Sequence, residues 1–192
     1  VLTAPGKGDI KNVVFGVNDD AINEDDQIIS AASCTTNAIT PVLRAVMDGF
    51  GIESGHVETV HSYTNDQNLI DNYHPKVRRG RAAALNMVIT ETGAAKAVAK
   101  AIPELAGKLT GNAIRVPTPN VSLAILNLTL DKAPSKEELN EYLRKFLLTP
   151  QFSLAEFKHW MLTQPGVVYR SALPLTPTLA LTLARSLTLP LA

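Results

Sequence analysis

The sequence has one cysteine, Cys34, so no disulfide can form within the chain. That fits a reducing compartment, and the cytoplasm is the expected location. Aromatic residues make up 5% of the chain, and none interleaves with the basic stretch Lys76 to Arg81, which leaves no base-stacking surface there. Neither sign of charge prevails. Eighteen Lys and Arg balance eighteen Asp and Glu, which gives no reason to expect a general nucleic-acid or membrane-surface binder. No uninterrupted apolar run reaches membrane-spanning length, and no basic segment followed by an apolar stretch opens the chain. No metal site is expected.

What is present is the material of an ordinary globular core: 45% of residues are hydrophobic and 19% charged. A chain of 192 residues suits one domain, or one domain with a piece of another. It opens on Val1 rather than on methionine, and is read as starting partway through a longer protein.

Short apolar runs at Val13 to Val17 and Ile28 to Ala32, bounded by Gly, Asn and Asp, read as buried strands. The second passes directly into Ser33-Cys34-Thr35-Thr36-Asn37 and then into a 3.6-period helix from Ala38 to Met47 that ends at Gly49 and Gly51. Pro41 is expected in the first turn of that helix, since deeper in it would kink the chain. His56 to Thr64 reads as a strand, Asp66 to Leu85 as a long loop, and Gly93 to Ala101 as an alanine-rich helix closed by Pro103. Ala113 to Val116 and Val121 to Leu130 read as strands, the longer one with both faces covered. Ser135-Lys136-Glu137-Glu138 is a capping box, followed by the apolar stripe Leu139, Leu143, Phe146 and Leu147. Mixed strands and helices predict an α/β or α+β class. From about Leu148 the composition narrows to Leu, Pro, Thr, Ala and Ser with neither a period of 2 nor of 3.6, and no function is assigned to it.

Cys34 stands where a strand hands over to a helix. The unpaired amides and about half a positive charge at a helix N-terminus favour a thiolate. Ser33, Thr35 and Thr36 surround it with hydroxyls able to bond an oxyanion or a phosphate. A histidine near the thiol would take its proton and act as general acid or base, and His61, His56, His74 and His159 are all available to periodicity alone.

Motif order narrows the choice. Ser33-Cys34-Thr35-Thr36-Asn37 is followed, twenty-seven residues after the cysteine, by His61-Ser62-Tyr63-Thr64. Arg78-Arg79-Gly80-Arg81-Ala82-Ala83, Thr92-Gly93-Ala94-Ala95-Lys96 and Arg115-Val116-Pro117-Thr118-Pro119-Asn120-Val121-Ser122 come after. Five such segments in order resemble phosphorylating glyceraldehyde-3-phosphate dehydrogenases, over roughly Val1 to Phe146. The resemblance implies residues 1–33 as the last strands of an NAD-binding Rossmann domain, residues 34–147 as an incomplete catalytic α+β domain with a mixed or antiparallel sheet, and residues 148–192 as a divergent, unassigned tail.

It also implies roles. Cys34 matches the nucleophile and His61 its base. Thr64 and Arg115 resemble residues that hold the substrate phosphate. Ser33, Thr35, Thr92 and Gly93 resemble the site of the attacking phosphate, with Arg81 as the assisting loop arginine. Thr3 and Asn65 match cofactor-touching positions. The implied reaction oxidises glyceraldehyde 3-phosphate with NAD and inorganic phosphate to 1,3-bisphosphoglycerate through a hemithioacetal and a thioester. The implied assembly is a homotetramer.

The sequence departs from that family in lacking a glycine-rich nucleotide fingerprint: Gly6-Lys7-Gly8 has no completing glycine and no helix after it. No counterpart of the family's C-terminal part follows Leu148. Erythrose-4-phosphate dehydrogenase, towards which Ile70-Asp71-Asn72-Tyr73-His74-Pro75 leans, and a non-catalytic truncated product are the alternatives.

Overall fold

The computed structural model describes residues 1–147, so the expected tail and His159 lie outside the described residues. The elements are strands β1 (Lys11–Asn12) and β2 (Ile29–Ser30), helix α1 (Cys34–Phe50), β3 (Ser54–Ser62), β4 (Val88–Glu91), α2 (Ala94–Ala101), β5 (Leu109–Val116), β6 (Leu123–Thr129) and α3 (Lys136–Leu147). β1 and β2 pair in parallel, and Leu2 bridges to Ser30 beside them. The other four strands form one mixed sheet in the order β4-β5-β3-β6, with β3 and β5 parallel and both outer strands antiparallel to their neighbours. This is the mixed α/β sheet that the sequence leads one to expect.

Side chains alternate across a strand, so register decides which residues share a face. Val57, Thr59 and His61 of β3 lie level with Gly111, Ala113 and Arg115 of β5 and with Leu126 and Ala124 of β6 where it pairs. On this side the core forms. Ile39, Val42, Leu43 and Val46 of α1, Val98 of α2 and Leu143 of α3 pack with Ile52, Val57, Ile102 and Leu105. The spacing of the α1 residues gives one apolar stripe, and burying each such side chain is worth about 1.5–3 kcal/mol. α3 crosses α1 with Tyr142 edge-on to Phe50 at 5.1 Å between ring centres. Gly49 permits that approach, because a Cβ there would sit 2.7 Å from the Tyr142 ring.

Several expectations are corrected. The first strand is Lys11–Asn12, and Val13 to Val17 turns instead: Val17 N–H bonds the Val14 carbonyl, the Asn18 side chain accepts from Val14 N–H, and Gly16 takes φ +74°. Val14 is buried nonetheless. α1 begins one turn before Ala38, because Ser33 caps it by accepting from Thr36 N–H at 3.1 Å. Pro41 lies beyond that first turn, inside a helix that continues through it. β4 arises where no strand was read, and a 3-10 turn, Val77–Gly80, interrupts the long loop. The longer strand is not covered on both faces: Leu123 and Ile125 are exposed, together with Ile89 of β4, on the side of the sheet away from the helices. Among the described residues no helix is long and apolar enough to cross a membrane.

Candidate active site

The catalytic candidates meet at the C-terminal ends of the parallel pair β3 and β5. Ser33 in extended conformation caps α1, which makes Cys34 its first helical residue and exposes the thiol at the end carrying unpaired amides. Just before it, Ala32 adopts φ +59°, an unusual conformation for a residue with a Cβ, pinned by its N–H on the Ser30 hydroxyl. β3 delivers His61 opposite, with Nε2 3.9 Å from Cys34 Sγ. His61 beside it draws the thiol below its ordinary pKa. Burial pushes the other way, and the Thr35 hydroxyl and amide add to the lowering.

Parity along β3 separates the histidines. His56 is five residues from His61 and therefore faces the opposite side of the sheet, where its ring nitrogens meet Thr110 and Asn112 at 2.8 Å each. His74 bonds the backbone of Lys76 within the loop.

Arg115 pairs in register with His61 across β3 and β5. Its Nη1 lies 3.0 Å from His61 Nδ1, 3.2 Å from the Ser62 carbonyl and 3.2 Å from the Thr64 hydroxyl. Burial pulls the guanidinium below its ordinary pKa and Arg79 works in the same direction, while Asp66 and Cys34 oppose them. Its Nε is buried without a hydrogen-bond partner among the described residues. A cation so placed is short of anionic partners.

Arg79 and Asp66 complete the cluster, and neither was singled out from the sequence. Arg79 is 8% exposed, donates through Nε to the Thr90 hydroxyl at 3.0 Å and forms an ion pair with Asp66. Asp66 also accepts from the Thr64 hydroxyl. Burial raises the Asp66 carboxyl, but Thr64, Arg79 and Arg115 outweigh it and hold it below its ordinary pKa. Arg81, the arginine chosen from the sequence, points to Asp71 at 3.2 Å and to Asn86 at 3.3 Å, and is exposed. The 3-10 turn Val77–Gly80 buries Arg79 and leaves Arg78 and Arg81 outside, a phase that residue type alone does not disclose.

Thr92 and Gly93 sit at the start of α2. The Thr92 hydroxyl accepts from Ala94 N–H at 3.2 Å, and its methyl lies over Gly111 of β5. Thr3 and Asn65 are exposed. Thr3 follows Leu2, whose carbonyl accepts from Ala31 N–H, so it lies beside the segment leading to Cys34, while Asn65 sits in the turn after Thr64.

The residues before Cys34 do not fit a dinucleotide. A pyrophosphate needs free amides at a glycine turn opening a helix. Gly6 N–H is already engaged by Asn12 and Ser30 at 2.9 Å each, and among the described residues the helical structure before α1 is limited to a three-residue 3-10 turn. Among the described residues no group of three or more His, Cys, Asp or Glu could hold a metal ion.

The chain is 72% identical over 148 residues to a glyceraldehyde-3-phosphate dehydrogenase-like protein of Pseudomonas aeruginosa (strain UCBPP-PA14), covering 77% of this chain and 32% of that protein. It is 50% identical over 152 residues to glyceraldehyde-3-phosphate dehydrogenase of Borreliella burgdorferi, covering 79% and 45%. It is 54% identical over 144 residues to the chloroplastic glyceraldehyde-3-phosphate dehydrogenase GAPA1 of Arabidopsis thaliana, covering 75% and 36%. The chain thus spans about a third to under a half of the length of these curated relatives. Residues 33–159 match the family described as glyceraldehyde 3-phosphate dehydrogenase, C-terminal domain, and the thiol, imidazole and arginine cluster all fall within that match, so the chain belongs to the glyceraldehyde-3-phosphate dehydrogenase family.

Proposed function

We propose that the chain carries the thiol half of a phosphorylating glyceraldehyde-3-phosphate dehydrogenase. Cys34 is the nucleophile towards the aldehyde carbon of glyceraldehyde 3-phosphate, His61 is its base, and Thr64, Arg115 and Arg79 anchor the terminal phosphate. The single observation that carries this reading is the 3.9 Å approach of His61 Nε2 to Cys34 Sγ with Arg115 lodged directly behind the ring. A base within reach of a thiol at a helix N-terminus supplies an activated nucleophile, and an arginine one side chain away supplies an anchor for an anionic substrate.

In this reading the thiol proton passes to His61 Nε2 and sulfur adds to the carbonyl, giving a hemithioacetal. Once the acyl group stands on Cys34 as a thioester, a change that needs an acceptor for a hydride and a proton which the described residues do not supply, inorganic phosphate attacks the acyl carbon. The sulfur leaves as thiolate and the product is 1,3-bisphosphoglycerate. Ser33, Thr35, Thr92 and Gly93 are the residues proposed to receive that phosphate, as hydroxyls and amides at helix starts do. The oxidant in this reading is NAD, with Thr3 and Asn65 as its nearest candidate contacts. The described residues do not form its cradle.

The same lack of a cradle supports a second reading, in which the chain alone has little NAD-dependent turnover. Purified chain that reduced NAD rapidly in a phosphate-dependent manner would exclude that second reading. The exposed apolar side chains Ile89, Leu123 and Ile125 support a proposed homo-oligomer, the family's tetramer, through this sheet face.

The thiol chemistry can be tested without cofactor by running the last step backwards. 1,3-Bisphosphoglycerate should acylate Cys34, releasing inorganic phosphate and leaving one 3-phosphoglyceroyl thioester visible by intact mass. Cys34→Ser should abolish the adduct. A wild-type chain that stays unmodified, or a label that survives Cys34→Ser, refutes the assignment.

A further inference from the structure

Two hydrogen bonds compete for one atom in this site. His61 Nδ1 lies 2.7 Å from the Ser62 carbonyl and 3.0 Å from Arg115 Nη1, and Nη1 is itself 3.2 Å from that carbonyl. A ring nitrogen has one in-plane position, holding either a proton or a lone pair. Nδ1 can donate to the Ser62 carbonyl or accept from Arg115, but it cannot do both.

The two arrangements differ at the other end of the ring. With Nδ1–H on the carbonyl, Nε2 presents its lone pair to Cys34. The S–H bond then breaks, an Nε2–H bond forms, and the electron pair stays on sulfur, giving thiolate and imidazolium. With Arg115 donating to Nδ1, the neutral ring carries its only proton on Nε2. That nitrogen cannot accept a second proton, and the thiol has no base.

Arg115 is poised to leave. Its Nε is buried without a partner among the described residues, and Asp66, the carboxylate whose charge acts on it, is committed to Arg79 and Thr64. An anion reaching the guanidinium and the Thr64 hydroxyl would satisfy it better than a histidine lone pair.

We propose that Arg115 is a positioning residue that gates the base: an anion bound by Arg115 and Thr64 draws the guanidinium off His61 Nδ1, hands that nitrogen to the Ser62 carbonyl, and so enables proton transfer from Cys34. The proposal rests on the reading of Arg115 and Thr64 as the substrate-phosphate anchor. Its consequence is that the thiol becomes fully nucleophilic only when the anchor is occupied. The charged groups facing the exchange are Arg115 from β5, Arg79 from the 3-10 turn and Asp66 from the loop after β3; the first turn of α1 contributes no acidic residue.

Cys34 is the only cysteine, so thiolate ultraviolet absorbance reports this one group. The full chain is titrated with and without sulfate, a tetrahedral anion that does not itself titrate in this range, and calorimetry records sulfate binding separately. Added negative charge alone would move the thiol midpoint up. The gate moves it down, with a roughly tenfold larger thiolate fraction at a fixed pH below the midpoint. In Arg115→Gln the sulfate-induced fall should vanish. Thr64→Val, which keeps the arginine, should require more sulfate for the same fall, so the test does not depend on one variant folding. Sulfate that binds while the midpoint rises or stays put overturns the gate and leaves the anchor reading standing. A fall that persists in Arg115→Gln also overturns the gate. Wild-type chain that binds no sulfate overturns both.

Discussion

Asp66 holds Arg79 in an ion pair with one carboxylate oxygen and accepts the Thr64 hydroxyl with the other, so a resident anion sits among the groups proposed to bind the substrate phosphate. Its side chain is 46% exposed, which screens its charge. A carboxylate there repels an incoming phosphate and occupies its donors. Asp66→Asn keeps the shape and removes the charge, and should tighten inorganic phosphate binding several-fold, on the order of 1 kcal/mol, the size of a like-charge repulsion at contact range when water screens it fully. Isothermal calorimetry reads it directly. Weaker binding in Asp66→Asn would mean that the carboxylate organises Arg79 for phosphate rather than competing with it.

His61 is expected to set the reactivity of Cys34. His61→Asn should slow iodoacetamide alkylation at neutral pH by on the order of tenfold and shift the rate–pH profile upward, since a thiolate reacts and a thiol does not. His56→Gln is the matched control. On the far face of the sheet, His56 should leave the rate within about twofold of wild type, in keeping with the small effects expected away from a site. Equal slowing in both variants would remove His61 from its role.

The lowered thiol pKa also affects stability. A group whose folded pKa is depressed stabilises the fold above its unfolded pKa, and that stabilisation is lost as pH falls through the folded pKa. The stability difference between wild type and Cys34→Ser should therefore be largest in the alkaline range above the ordinary thiol pKa and shrink on acidification. Urea midpoints measured across that range check it. A difference that grows towards acid would reverse the sign assigned to the His61 interaction.

Ser33 links fold and chemistry. Ser33→Ala removes the cap of α1 and should cost about 1 kcal/mol. It should also slow Cys34 alkylation, because the first turn that presents the thiol would fray. Destabilisation without any change in alkylation would show that the cap holds the helix but not the sulfur.

Much of this arrangement was legible in the residue order. Cys34 at a strand-to-helix junction, His61 on the next strand and Arg115 on a later one all follow from motifs that the sequence displays, and the serine half of the capping box forms, with Glu138 N–H on the Ser135 hydroxyl at 3.1 Å. Other parts depend on long-range pairing. Parity shows that His56 and His61 face opposite ways, but only the docking of α1 and β5 decides which face holds the thiol. Residue type cannot distinguish Arg79 from Arg81, since the phase of a short 3-10 turn is set by what it packs against. Asp66 is one polar residue in a polar loop until the fold brings it to Arg79. β4 was hidden because half its residues are exposed, so no apolar run marked it.

The central claim is that one pocket joins an activated thiol to an anchor for a distant phosphate. Acylation rates of Cys34 by 1,3-bisphosphoglycerate and by acetyl phosphate, which lacks the second phosphate, test it most directly. Wild type should prefer the bisphosphate by on the order of a hundredfold, as an oriented, doubly held anion would, and Arg115→Gln should lose most of that preference. Equal rates for the two acyl phosphates in wild type, or a preference untouched by Arg115→Gln, would contradict it.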